Sequence, residues 1–271
     1  MSDSRQIVKN YYDQNAEREW ERLERHPFEF TITTHMMDRY IQPGDSILDI
    51  GGGPGRYALH YLLKGNSVLL TDLSQGNIDL ALKQAQEQGL SLNAIVCDAL
   101  QIEQATQEKF DHVFLMGPLY HLMEEAERVQ AVKAALAMLK PGGILYVSFL
   151  MMFSGIIYML REGQEILIDP NEEQWINAVR QQISWGGNAF TRAYFIDQDE
   201  ILPFMKQFDI EILHFFGQEG ITAQQTYSLQ NQCEEVQRAW IDLSIALCET
   251  PRYLSHSEHA MVIARKPISH W

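Results

Sequence analysis

An α/β fold with a mostly parallel sheet is predicted by three observations. Apolar, strand-like runs alternate with helical stretches from residue 42 to 150, and that rhythm specifies βαβ steps with helices on both faces of a sheet. The first run, Ser46-Ile47-Leu48-Asp49-Ile50, flows into the glycine-rich turn Gly51-Gly52-Gly53-Pro54-Gly55 and then into a helix beginning at Arg56. Three successive strands end in or beside an acid, at Asp49, Asp72 and Asp98. With 271 residues, 46% of them hydrophobic, the chain is long enough for one large domain carrying an added cap.

The elements follow in order. Residues 4–25 read as an acidic amphipathic helix, with Val8, Tyr12, Ala16, Trp20 and Leu23 at helical spacing. The pair His26-Pro27 ends it, and a second helix at about 29–41 completes an N-terminal helical cap segment, residues 1–41. In the core, 42–150, strands at 46–50, 67–72, 94–99, 111–117 and 144–150 alternate with helices at 54–64, 74–88 and 124–140. Ser74 is placed to cap the second of these helices and Gly89 to terminate it. Residues 151–192 are rich in aromatics, Met and Gln, lack a βαβ step, and read as a cap insert. The rhythm returns in 193–271, with a helix at 197–208, a strand at 210–216, a helical insert at 222–250 and a last strand at 259–265.

The glycine turn exists to bring backbone close to a ligand. Glycine tolerates positive φ and puts no Cβ in the way, and a helix start leaves N–H groups unpaired. A dinucleotide fingerprint wants G-x-G-x-x-G and a P-loop wants Gly-Lys-Ser/Thr. Here the spacing is G-x-G-x-G, at 51, 53 and 55, with Arg at 56. Asp49 beside the turn would repel a pyrophosphate but suits a cation. S-adenosylmethionine (SAM) carries a sulfonium and an ammonium and no phosphate. Asp72 lies 23 residues after Asp49, one βαβ step, where an acid accepts hydrogen bonds from ribose hydroxyls. Asp98 is placed to meet the adenine amino group.

With LDIGGGPG, LLTDLS, VCDAL, FDHVFLMG and LKPGG in register, the chain closely resembles the class I SAM-dependent methyltransferases. It is most similar to small-molecule enzymes of the ubiquinone/menaquinone type. The resemblance covers about 40–150, is partial at 195–217 and 258–265, and is faint elsewhere. It implies a seven-stranded, Rossmann-like sheet with an antiparallel last strand, and a helical cap made by the N-terminal helix and the two inserts. It further implies SAM as cofactor, S-adenosylhomocysteine (SAH) as product, and Tyr12, Asp49, Gly51, Gly52, Gly53, Gly55, Asp72, Leu73, Asp98, Ala99, Met116 and Gly117 as the residues around them.

Methyl transfer is an in-line displacement, so the protein mainly aligns the reactants and excludes water. His121, in the loop Met116-Gly117-Pro118-Leu119-Tyr120-His121 after the fourth strand, is the candidate general base; a packing histidine is the alternative. Tyr11, Tyr12 and Trp20 either close over the cofactor or form the core face of their helix. The stretch 149–160 with Trp175, Trp185, Trp240 and Tyr253 is a candidate apolar acceptor pocket, with core packing as the alternative.

Composition narrows the rest. Asp and Glu number 36 against 21 Lys and Arg, a formal net charge of −15, which disfavours nucleic acid and anionic membranes as partners. The expected partner is a small-molecule substrate, with the chain a monomer or homodimer. No metal-ligand spacing is found. Cys97, Cys233 and Cys248 have no paired spacing, Cys97 reading as a buried mid-strand thiol, and the N-terminus shows no leader pattern; both point to the cytoplasm. The uncharged stretch 144–160 reads as a core strand followed by an apolar cap segment rather than a membrane span. Competing readings are a same-fold oxidoreductase, a non-catalytic SAM-binding protein, and a nucleic-acid or protein methyltransferase.

Overall fold

The computed structural model describes residues 3–268; positions 1–2 and 269–271, the outermost ends of the predicted first and last segments, lie outside the described residues. A seven-stranded sheet runs in the order β3-β2-β1-β4-β5-β9-β8. Its strands are β1 (Ser46–Ile50), β2 (Ser67–Asp72), β3 (Asn93–Val96), β4 (Phe110–Leu115), β5 (Leu139–Leu150), β8 (Glu211–Gly217) and β9 (His259–Arg265). The pairs β3·β2, β2·β1, β1·β4 and β4·β5 are parallel. The strand β9, last in the chain, inserts antiparallel between β5 and β8. Strand order reverses between β1 and β4, which opens a crevice at the carboxyl ends of these strands.

The period-2 pleat sorts the strand residues onto two buried faces. Leu48, Val113, Leu145 and Val147 face α5 (Glu125–Met138) and α8 (Gln198–Met205). Ile47, Phe114, Tyr146 and Ile263 face α2 (Pro27–Met37), α3 (Arg56–Leu63) and α4 (Gln75–Glu87). Burial on both sides explains why these strands read as continuous apolar runs.

Several boundaries differ from the sequence reading. The second helix starts at Pro27 and stops at Met37, because proline is pre-organised for the first helical position. The third strand ends at Val96. Asp98 then caps a short 3₁₀ turn, Ala99–Gln104, by accepting from Leu100 N, so Cys97 lies beyond the strand and is half-buried. The Lys-Pro-Gly-Gly stretch is part of the long β5. The segment 151–192 holds α6 (Phe153–Glu162), α7 (Glu173–Gln181) and, with residues up to 195, an unforeseen hairpin of β6 (Trp185–Asn188) and β7 (Arg192–Phe195). Two glycines in a four-residue strand gave no β signal. The segment 222–250 contains α9 (Thr226–Gln230) and α10 (Glu234–Leu247). Among the described residues, no helix is long and apolar enough to cross a membrane.

Candidate functional site

The helix α1 (Asp3–Glu24), kinked at Asn15, lies across the carboxyl ends of β1, β2 and β4 and covers a cavity there. Its floor is the glycine turn. Gly51 and Gly52 donate to the Thr71 carbonyl, and Gly53 N donates to Asp72 Oδ2 at 2.9 Å. Gly51 and Gly53 hold φ of 67° and 59°, a region costly for side chains with a Cβ. A Cβ on Gly51 would run into the Pro118 ring, whereas the space at Gly53 is open. Gly55, also left-handed, packs on Ala81 and Leu70 at the start of α3 and lies outside the cavity lining.

Three acids meet this floor. Asp49 is 2% exposed and its Oδ2 has no hydrogen-bond partner among the described residues. Burial, reinforced by the Asp72 charge, pushes its pKa up to about 7. Asp72 accepts from Ser74 N at 2.8 Å, Asn77 Nδ2 at 3.2 Å and Gly53 N; burial still holds its pKa above the usual carboxylate value. Asp98 accepts from Leu100 N at 3.0 Å and forms an ion pair with Arg5 of α1. Leu73, Ala99, Met116 and Gly117 line the same space.

The other half of the cavity is polar. His121 is buried, its Nδ1–H donating to the Arg192 carbonyl at 2.9 Å. That bond fixes the tautomer. The Tyr12 hydroxyl then donates to His121 Nε2 at 3.0 Å. Burial pushes the His121 pKa down to about 4, so the ring is neutral at pH 7, and burial pushes Tyr12 well above the phenol range. Farther in, Glu29 Oε1 accepts from the Tyr57 hydroxyl at 2.6 Å and from Gln218 Nε2 at 3.3 Å. Glu219 Oε1 meets His259 Nδ1 at 2.7 Å, and its Oε2 accepts from the backbone N–H of Glu258 and His259. Burial opposes charge on both groups. The pairing overrides it, holding Glu219 below and His259 above their ordinary values.

Thus the structure brings Tyr12, Asp49, Gly51, Gly52, Gly53, Asp72, Leu73, Asp98, Ala99, Met116, Gly117 and His121 to one cavity and leaves Gly55 beside it. Tyr11 packs edge-on against Tyr12 and Phe190, and Trp20 packs against the core and donates to Glu24; neither lines the cavity. The expected apolar pocket is absent from the lining. Trp175 is buried with Met152, Met159 and Phe195 in a small core of its own, and Trp240 is 40% exposed on α10. The insert spends its apolar faces on itself and on the hairpin. The site residues the sequence reading missed include Glu19, Arg22, His26 and Glu29, with Gln218, Glu219, Glu258 and His259. The first four fall at spacings of three, four and three, a helical stripe that continues across the His26-Pro27 break. The others flank the ends of β8 and β9, where only the sheet topology brings them in.

Residues 47–143 match a protein-family model described as a methyltransferase domain. A tRNA 5-carboxymethoxyuridine methyltransferase of Escherichia coli O157:H7 is 23% identical over 231 residues, 82% of this chain and 80% of that protein. A ubiquinone biosynthesis O-methyltransferase of Caulobacter vibrioides is 29% identical over 135 residues, 49% of this chain and about half (52%) of its own length. The fold matches that of magnesium protoporphyrin IX methyltransferase from Synechocystis PCC 6803, solved with bound SAH. The TM-score is 0.59 at 15% identity, covering 97% of this chain and 100% of that one.

Proposed function

We propose that this chain, a class I SAM-dependent methyltransferase, methylates a small polar molecule held in the chamber under α1. The observation that carries this reading is the chamber itself, walled by buried and half-buried, mutually hydrogen-bonded polar side chains.

The residues present fit the cofactor. The orphaned Asp49 Oδ2 suits its ammonium, Gly53 leaves open the space a Cβ would take, and Asp72 retains acceptor capacity for ribose hydroxyls. Asp98, with Leu73 and Ala99, would hold the adenine end. When bound, SAM supplies an activated methyl group. The protein supplies alignment and a dry site, with 1–41, 151–192 and 222–250 as the cap over the 42–150 core.

His121 is the proton acceptor. Its Nδ1 is committed to the Arg192 carbonyl, so only Nε2 is basic. Tyr12 gives its hydroxyl proton to Nε2 as it takes one from the acceptor. A base held neutral at pH 7 is ready without deprotonation.

A second reading, tRNA methylation, is favoured by the match to the tRNA enzyme over 82% of the chain. The net charge of −15 opposes it, because phosphate contacts dominate RNA affinity. SAH release measured with a metabolite extract and, separately, with bulk tRNA tests the choice. Turnover with the metabolite fraction alone is the expected result, and turnover with tRNA alone overturns it.

A further inference from the structure

Resting on the small-molecule reading above, we propose that the acceptor carries a basic nitrogen, and that its ammonium group is held by the Glu29 carboxylate and the Gln218 side-chain oxygen.

Charge bookkeeping among the described residues singles out Glu29. Of the glutamates lining this half of the cavity, Glu19 pairs with Arg22, Glu219 with His259 and Glu258 with Arg161. Glu29 has hydrogen bonds only from neutral groups, the Tyr57 hydroxyl and the Gln218 amide. Arg56 and His259 favour its charged form only through the field, with no ion pair to either among the described residues, and Arg56 is spent elsewhere. Its guanidinium donates to the carbonyls of Leu23 and His26 and lies over the Phe30 ring at 4.2 Å. A half-buried carboxylate with no ion pair is costly, and a cation brought by a ligand reduces that cost.

Gln218 gives the independent observation. It is 2% exposed and lines the cavity. Its Nε2 donates to Glu29 and to Thr33 Oγ1 at 3.2 Å, the orientation a neighbouring carboxylate requires. Its Oε1 has no partner among the described residues. A buried acceptor left unpaired costs free energy, and this one belongs to the side chain that donates to a carboxylate with no ion pair among the described residues. Two neighbouring acceptors suit a multiple N–H donor with positive charge better than a carboxylate or a phosphate. Burial and the Glu219 charge both raise the Glu29 pKa, and an incoming ammonium would reverse that shift.

The test is calorimetry on the full chain saturated with SAH. The probes are butylamine, piperidine and tyramine, with 1-butanol, 4-ethylphenol and butyrate as neutral and anionic counterparts. The amines are expected to bind about tenfold or more tightly than their counterparts, the value of one charge-assisted contact. Glu29→Gln should erase that preference while SAH still binds, and Gln218→Leu should reduce it; bound SAH serves as the check that each variant is folded. Equal or tighter binding of the neutral or anionic probes, no amine binding at tens of millimolar, or a preference that survives in Glu29→Gln overturns the proposal. Failure of the wild-type protein to bind SAH would instead remove the methyltransferase reading on which it rests.

Discussion

At the scale of single residues, buried acids and a buried imidazole set the site's response to change. Asp72 holds the backbone N–H groups of Gly53 and Ser74, so it shapes the turn as well as facing the cofactor. Asp72→Ala should weaken SAH binding by about 1–3 kcal/mol and also lower the melting temperature, since three donors, Gly53 N, Ser74 N and Asn77 Nδ2, lose their partner. Asp72→Asn should recover more stability than affinity. Unchanged SAH affinity by calorimetry would remove Asp72 from the site. Asp49, with its pKa raised to about 7, should lose a proton when the cofactor ammonium arrives. Calorimetry at pH 7 in buffers of different ionisation enthalpy should then show proton release, and Asp49→Asn should abolish it. His121 has its folded pKa depressed from 6.5 to about 4. The unfolded chain therefore binds the extra proton between those values, and stability from this group is intact above pH 6.5 and falls as pH drops toward 4. The turnover profile should show no step from His121 near pH 6–7, in contrast to an unperturbed histidine. His121→Ala and Tyr12→Phe should each lower turnover about 10²–10⁴-fold with little change in SAH affinity. A fully active Tyr12→Phe variant would remove the relay.

At the scale of elements, α1 is the piece that converts an open crevice into a chamber. It is held to α4 through Asp13, whose carboxylate accepts from the Ser74 hydroxyl at 2.7 Å, and to the mouth through the Arg5–Asp98 ion pair. Gly76 lies against the Asp13 backbone, with a built Cβ only 2.9 Å from the Asp13 carbonyl oxygen. Gly76→Ala should therefore push α1 off its seat. Alanine itself favours the helix by about 0.5–1 kcal/mol, so any loss reports the docking of α1. Hydrogen exchange should show SAH protecting α1 together with the glycine turn in the wild type. In Gly76→Ala the α1 protection should be lost while that of β1, β4 and β5 remains. SAH protection confined to residues 46–120 in the wild type would mean that α1 only packs. The elements also show where sequence reading succeeds. Runs buried on both faces, such as β1 and β4, announce themselves, whereas β6, with two glycines in four residues, carries no pattern to read.

At the scale of the whole molecule, net charge and topology divide the work. A charge of −15 should keep the protein off RNA. Gel-shift with bulk tRNA should show no complex at physiological salt, and a salt-sensitive complex would favour the tRNA reading. The sheet order reverses between β1 and β4, placing the cavity where the glycine turn and the loop after β4 converge. The insertion of β9 between β5 and β8 brings Glu258 and His259 beside Gln218 and Glu219, four positions that no local pattern connects.

The sequence by itself determined the parallel core, the glycine turn, the cap at Ser74 and the acids at 49, 72 and 98. These rest on local physics: apolar periodicity, the backbone freedom of glycine, and the spacing of one βαβ step. It also placed Tyr12 and His121 near the site without revealing that they touch. Only the tertiary structure decided that Trp175 and Trp185 pack against Phe195 rather than around a ligand, and that the chamber is lined by glutamates. The physical reason is that burial and pairing of charged groups depend on elements far apart in the chain. Glu29 and Gln218 stand 189 residues apart, and each looks like an ordinary surface residue until α2 and the end of β8 meet.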